Sequence, residues 1–270
     1  MTQRNWIPQG VDVSVPSMAR TYDYFLGGAH NFAVDRELAA QAERAMPDIR
    51  SVARVSRAFL ARTIRFMVAQ GIRQFLDIGS GIPTVGNVHE VAKGEGPECR
   101  VVYVDKDPIA VAHSELLLAD EDLATVVQAD MRDPESILGH PETRALLDFD
   151  QPVGLLMLMM VHWLPDEADP WGLMTRYRDA LVPGSYLAIT HVTSDNEEQL
   201  DDVADVIKES RSADQLTERS YDDVLRLFGD FELVEPGLVG AAAWRSTGPA
   251  DISETPEMNR VIYGGVARKP

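Results

Sequence analysis

The stretch Phe75-Leu-Asp-Ile-Gly-Ser-Gly81 decides how this chain is read. An apolar run ends on an acid, Asp77, and opens into Gly79, Ser80 and Gly81. A hydrophobic strand that stops at a glycine turn before a helix is the usual frame of a nucleotide site. Glycines let backbone N–H groups approach a ligand, and the strand end sets that ligand at the mouth of a sheet. Asp77 then selects among ligands. A pyrophosphate on this loop would be repelled by a carboxylate, whereas a group carrying an ammonium or a sulfonium would not.

Working outward, strand and helix patterns alternate. The first strand, Gln74–Ile78, is expected to lead into a crossover helix over 84–92. A second strand over 100–104 ends at Asp105, and Asp107-Pro108 opens a helix, since aspartate caps and proline suits the first helical position. A third strand over 125–128 ends near Asp130. A fourth, over 153–161, is apolar throughout, as a strand buried on both faces should be. Helix 171–181, strand 186–190, helices 196–210 and 221–228, and strands 231–234 and 261–267 complete the series. The last two strands have no helix between them, so the final one is expected antiparallel. The pattern predicts an α/β fold with a doubly wound, mostly parallel, seven-stranded sheet.

Composition narrows the function classes. The chain has 270 residues and a net charge of −18, which disfavours a nucleic-acid partner. Arg50, Arg54, Arg57 and Arg65 recur at helical spacing and read as a solvated helix face, the alternative being contact with an acidic ligand or with the acidic body of the protein. There is one cysteine, Cys99, so neither an internal disulfide nor a cysteine metal cluster is expected. His89 and Glu90 are adjacent on a helix and face differently, so no metal pair is read there. No apolar run reaches the ~18 residues of a membrane span, and Met1–Pro8 lacks the pattern of a signal peptide. A soluble, cytoplasmic protein is expected, with no membrane partner.

Three acids stand at three successive strand ends. Asp77 precedes the glycine turn. Asp105 lies 24 residues after Gly81, where a carboxylate can accept both ribose hydroxyls. Asp130 can accept an adenine amino group while Met131 packs on the ring. Ser80 and Lys106 belong to the same turns. The set suits S-adenosylmethionine better than NAD. Position 84 is threonine where a dinucleotide turn wants glycine or alanine, and Asp77 is badly placed for a pyrophosphate.

Ahead of this region, residues 1–32 are rich in aromatics and glycine: Tyr22, Tyr24, Phe25, Gly27 and Gly28. They read as a cap without regular helix. A helix over 34–46 and a longer one, capped by Asp48 and closed by Gly71, follow. The organisation expected is an N-terminal arm and helical cap over 1–70 and a ligand-binding unit over 71–270, packed as one body.

Several segments together resemble a bacterial S-adenosyl methyltransferase family long classed as a domain of unknown function. They are Ser17-Met-Ala-Arg-Thr-Tyr-Asp-Tyr-Phe-Leu-Gly-Gly28 with Asn31, Phe32 and Asp35, then 71–84, Asn87–Glu90, 101–108, 129–134, Val161-His162 and 183–186. The resemblance covers nearly the whole chain. It implies a class I methyltransferase fold and S-adenosylmethionine binding, and it implies no substrate. Two positions depart from pattern. Pro83 stands where the wider class often has a third glycine, and Ser56 stands where the family pattern suggests asparagine.

Methyl transfer from a sulfonium needs alignment and exclusion of water, and a base only where the nucleophile carries a tightly held proton. His162 and His191, at the ends of strands four and five, are the candidate bases, with His162 also beside the cofactor. In the arm, Arg20 could pair with the cofactor's carboxylate and Tyr22 and Tyr24 could flank its sulfonium. Gly28 would let the chain turn over it. The expected function is methyl transfer to a small-molecule acceptor. The alternative is a non-catalytic sensor of S-adenosylmethionine or its demethylated product.

Overall fold

Side chains along each strand alternate between two apolar layers, and this alternation sets where the functional acids point. The structure is a computed structural model that describes residues 11–84, 86–210, 212 and 214–270. The reading of Met1–Pro8 lies outside the described residues. Helices α1 (Met18–Phe25), α2 (Ala33–Ala45) and α3 (Ile49–Ala69) precede strand β1 (Gln74–Ile78). Helix α4 (Val88–Gly94) leads to β2 (Arg100–Asp105), and α5 (Pro108–Leu117) leads to β3 (Ala124–Gln128). Two short helices, α6 (Pro134–Leu138) and α7 (Pro141–Leu146), precede β4 (Gly154–Leu158). Helix α8 (Pro170–Asp179) precedes β5 (Tyr186–Val192). Helices α9 (Glu197–Glu209) and α10 (Tyr221–Arg226) then lead to β6 (Glu232–Leu233), β7 (Val239–Gly240) and β8 (Ile262–Arg268).

The sheet order is β3-β2-β1-β4-β5-β8-β6, with β7 also on β8. Strands β1 to β5 are parallel and β8 runs antiparallel to β5. The sheet has eight strands where seven were expected, because the edge partner of β8 is broken in two. Between Leu233↔Ala267 and Val239↔Gly264 the edge chain runs six residues against three on β8. Strand β1 sits between β2 and β4, so successive connections leave it in opposite directions and open a crevice at its carboxyl end.

Phe75, Val101 and Leu156 face one layer with Phe59, Ile64 and Met67 of α3. Leu76, Val102 and Leu155 face the other, with Met174 and Tyr177 of α8. Asp77 shares the parity of Phe75 and therefore points to the α3 side. The first layer also takes in Phe25, Ala39 and Ala42 from the N-terminal helices, Met46 just past α2, and Leu200, Val203 and Ile207 from α9. The segment before residue 70 thus shares a core with the sheet.

Several local expectations are corrected. The arm contains a regular helix, α1, which ends before the glycines; Gly27 (φ 81°) takes the left-handed turn that follows. Helix α4 begins at Val88, not residue 84, because Asn87 and Glu90 form a capping box in which Glu90 accepts from the Asn87 amide at 2.8 Å; the Asn87 side chain also accepts from the Thr84 amide at 3.1 Å, in the loop before the helix. Asp48 does not cap α3 through its side chain. It adopts φ 72° and accepts a hydrogen bond from Thr255 Oγ1 at 2.9 Å. Strand β4 stops at Leu158, since Met159 turns left-handed (φ 57°), so His162 lies on the 3₁₀ turn Val161–Trp163. His191 lies within β5, not past its end.

Candidate functional site

Beyond the carboxyl ends of β1, β2 and β3 lies a cavity of about 500 Å³, within the ~300–1,000 Å³ typical of small-molecule sites. Its floor is the glycine turn. Gly79 adopts φ 73°, and a Cβ there would sit 1.9 Å from Met160 Sδ, so the position needs glycine both for its backbone angle and for space. We expect Gly79→Ala to lower Tm by ~4–8 °C, from ~2 kcal/mol of left-handed strain and displaced methionine. A thermal melt within 1 °C of wild type, as an order of magnitude, would show that the turn tolerates a side chain. Ser80 Oγ is buried and has no partner among the described residues.

Three acids line the cavity together. Asp77 is buried on the α3 side, and burial pushes its carboxyl up to about 7. Arg57 of α3 pulls the other way and Asp105 adds to the rise. Asp105 accepts from the Gly81 amide at 2.7 Å through Oδ2 and from the Asp107 amide at 2.8 Å through Oδ1. Each oxygen keeps a further lone pair. Burial raises Asp105 to about 6 despite those two bonds. Asp130 behaves differently. Arg132 grips it with Nε at 2.9 and 3.0 Å and with a guanidinium N–H, and this holds its carboxyl below the usual range. Met131 packs beside it in the cavity wall. Lys106 also lines the cavity and pairs with Asp214, from the segment after α9.

The arm contributes one expected residue to the cavity and withholds three. Tyr22 lines it and donates to Ala53 O at 3.2 Å, with its phenol pKa raised by burial. Arg20 does not reach it. Its guanidinium lies 3.0 Å from Asp35, donates to Val15 O at 2.6 Å and stacks over Phe32. Arg20 and Asp35 are 3% and 0% exposed, so the pair is committed inside the arm. Tyr24 carries Arg50 on its ring, outside the cavity wall. Gly28 also stands outside that wall; a Cβ there would meet Asp23 Oδ1 at 2.0 Å, and this close approach explains the glycine. Asp23 accepts from the His30 amide and the Asn31 side chain, both at 2.9 Å, and so pins the turn.

The two histidines are also resolved. His191 is outside the cavity wall. Arg219 donates to its Nε2 at 2.9 Å, which leaves the proton on Nδ1, donated to Val192 O at 2.6 Å. Burial and Arg219 hold its pKa down at about 3. With both nitrogens committed, His191 cannot take a proton from an acceptor. His162 does belong to the cavity wall, but the residue is fully buried. Neither ring nitrogen has a partner among the described residues or an exposed surface. Burial, His191 and Arg219 keep it neutral.

Four cavity elements escaped the sequence reading. Arg57, whose spacing suggests a solvated face, lines the cavity and donates to Gly86 O at 2.8 Å. Arg132 was passed over, although an arginine two residues after a strand-end acid is a signal for a local pair. Ser56, at the family's expected asparagine position, is buried in the wall beside Tyr22. Helix α9, read as acidic, turns Leu200, Val203 and Ile207 inward; their i, i+3, i+7 spacing carried that information.

Among the described residues no group of three or more metal-ligating side chains is found, and no helix is long and apolar enough to cross a membrane. The family described as S-adenosyl methyltransferase matches residues 4–270. A candidate methyltransferase from Thermobifida fusca YX is 41% identical, with 98% of this chain and 99% of that chain covered at a TM-score of 0.92. A DUF574 family protein from Streptomyces avermitilis MA-4680 is 38% identical, with 96% and 99% covered at 0.91. The plantazolicin methyltransferase BamL, solved with a substrate analogue and S-adenosylhomocysteine, shares the fold at 9% identity, with 93% and 96% covered and a TM-score of 0.54. A search of curated proteins finds no match. These findings do not favour the non-catalytic sensor.

The residues present fit S-adenosylmethionine. Asp77 and Asp105 are buried acids whose ionised forms a cationic ligand would stabilise, and Ser80 Oγ awaits a partner at the turn. By family and by fold the chain belongs to the S-adenosyl methyltransferases: it is a class I, S-adenosylmethionine-dependent enzyme.

Proposed function

We propose that this methyltransferase acts on a small-molecule acceptor, with the cofactor held across the ends of β1, β2 and β3. One observation carries the assignment: Asp77 and Asp105 are buried acids that face the same cavity, and burial raises both carboxyls. In this reading Asp77 meets the cationic amino-acid end, Asp105 accepts from the ribose hydroxyls through its spare lone pairs, and Asp130 with Met131 borders the adenine. Gly79, Ser80 and Gly81 pass beneath, Lys106 stands at the rim, and Tyr22 presents an aromatic face. When bound, the cofactor supplies a methyl carbon already activated by its sulfonium. The protein's own work is to align and to exclude water, which the helices around the cavity accomplish.

A small acceptor is supported by the cavity's volume of about 500 Å³ and its lining from α1, α2 and α9, and by a net charge of −18 that opposes nucleic acid. A cytoplasmic setting belongs to the same reading, supported by a single, buried cysteine. The test is transfer of label from methyl-labelled cofactor into three fractions of a bacterial extract: small molecules, protein and nucleic acid. Label is expected in the small-molecule fraction. Label confined to protein or nucleic acid overturns the acceptor assignment.

A further inference from the structure

The cavity has two linings of opposite character. One is the polar rim of strand ends described above. The other is a chamber walled by four helices, with Phe25 from α1, Leu38 from α2 and Met46 just past its end, Val52 from α3, and Leu200 and Val203 from α9. These helices pack on one another, α2 against α9 and α1 against α2 and α3. Tyr22 and Ser56 supply the polar atoms where the chamber meets the rim, beside Arg57 and Asp77.

We propose that this chamber takes an uncharged, largely apolar small molecule as the methyl acceptor, its reactive atom at the junction of Tyr22, Ser56 and Asp77. The proposal rests on the small-molecule reading above and names its substrate class. Charge carries the argument. The site's cations are engaged: Lys106 with Asp214, Arg132 with Asp130, and Arg57 with Gly86 O. An anionic acceptor would meet the buried carboxylates Asp77 and Asp105, and the cation beside them, Arg57, already acts on Asp77. A cationic acceptor would leave water for a wall of aliphatic side chains, since the acids lie on the rim and on the outer face of α9. An ion moved into such surroundings is strongly disfavoured unless paired there. Apolar walls of this kind also hold water poorly and take apolar guests. The histidines agree with this assignment. With His191 committed and His162 covered, no imidazole nitrogen meets the chamber, so an acceptor is recognised by shape and apolar contact.

The test uses the full chain and a neutral dye, N-phenyl-1-naphthylamine, whose fluorescence rises when it leaves water. Three competitors of matched shape follow: 1-naphthol, 1-naphthoate and 1-naphthylmethylammonium. S-adenosylmethionine binding is measured by calorimetry on the same samples. The neutral naphthol is expected to displace the dye about tenfold more tightly than either ion. Val203→Asp, which places a charge in the wall, is expected to weaken dye binding about tenfold, with cofactor affinity within about twofold of wild type. Ala42→Phe fills the chamber without charge and should do the same. Naphthoate competing as well as naphthol overturns the proposal. So does unchanged dye affinity in either variant when that variant still binds cofactor. A variant that has lost cofactor binding is misfolded, and the charge series on wild type then decides alone. Failure of the wild-type chain to bind S-adenosylmethionine would overturn the cofactor site instead.

Discussion

Asp77→Asn is expected to stabilise the free protein and to cripple its cofactor binding. The two effects have opposite signs because one carboxylate causes both. In the unfolded chain an aspartate titrates near its model value of 3.8; in the fold, burial lifts Asp77 to about 7. An acid whose folded pKa is raised opposes folding as it ionises. The penalty is absent below the unfolded pKa, grows from about pH 4 to about pH 7, and is constant above. At pH 8 it amounts to roughly 2–4 kcal/mol, so Asp77→Asn should raise Tm by ~4–12 °C there and leave it unchanged near pH 4. Binding runs the other way. A cationic ligand needs the ionised carboxylate, so wild-type affinity for S-adenosylmethionine should fall as pH drops through 7, up to about tenfold per unit, with Asp105 adding to the loss near 6. In Asp77→Asn the affinity should be ~30-fold or more weaker at pH 8, and the step near 7 should vanish. Calorimetry across pH and melts at pH 4 and 8 read both. A variant destabilised at pH 8, or one that keeps the affinity step at pH 7, would show that Asp77 is not the group that meets the cation.

Arg20→Met carries the second large effect, on stability. The Arg20–Asp35 pair is almost wholly buried, and Asp35 also accepts from the Ser17 and Phe32 amides at 2.9 and 2.8 Å. Removing the guanidinium leaves a buried charge with amide partners alone. Breaking such a pair costs about 3–5 kcal/mol, or a fall in Tm of ~6–15 °C. Adding Asp35→Asn to Arg20→Met removes the stranded charge and should recover part of that fall. The pair of melts separates two roles for Arg20. Had the side chain reached the cofactor's carboxylate, Arg20→Met would lower affinity and leave Tm almost unchanged. A Tm within about 2 °C of wild type would therefore revive the binding role.

The sheet was readable because each parallel strand is a short apolar run that halts at a polar turn, and the chemistry sits at those halts. Asp77, Asp105, Asp130 and the glycine turn all meet in one cavity for that reason. What escaped depends on partners far apart in sequence. Arg20 looked like a carboxylate receptor, and only folding brings Asp35 against it. Arg57 sits on a helix where Arg54 and Arg65 are exposed and Arg62 is buried, and its helical spacing alone does not say which of these surroundings it takes. The histidines stood at expected strand ends, but Arg219, 28 residues beyond His191, claims that ring. Helix α1 is masked in the sequence by Gly27 and Gly28, which lie just past its end.

Three consecutive residues, the last of β2 and the two that follow it, hold three different parts of the molecule. Asp105 holds the Gly81 amide, Lys106 holds Asp214 beyond α9, and Asp107 accepts from the Ser17 hydroxyl at the root of the arm. The floor of the site and two parts of its roof are therefore fastened to a single short turn. Such a clasp makes occupancy and closure thermodynamically reciprocal: whatever an occupant at Asp105 contributes to keeping the roof shut, a shut roof returns as slower escape of that occupant.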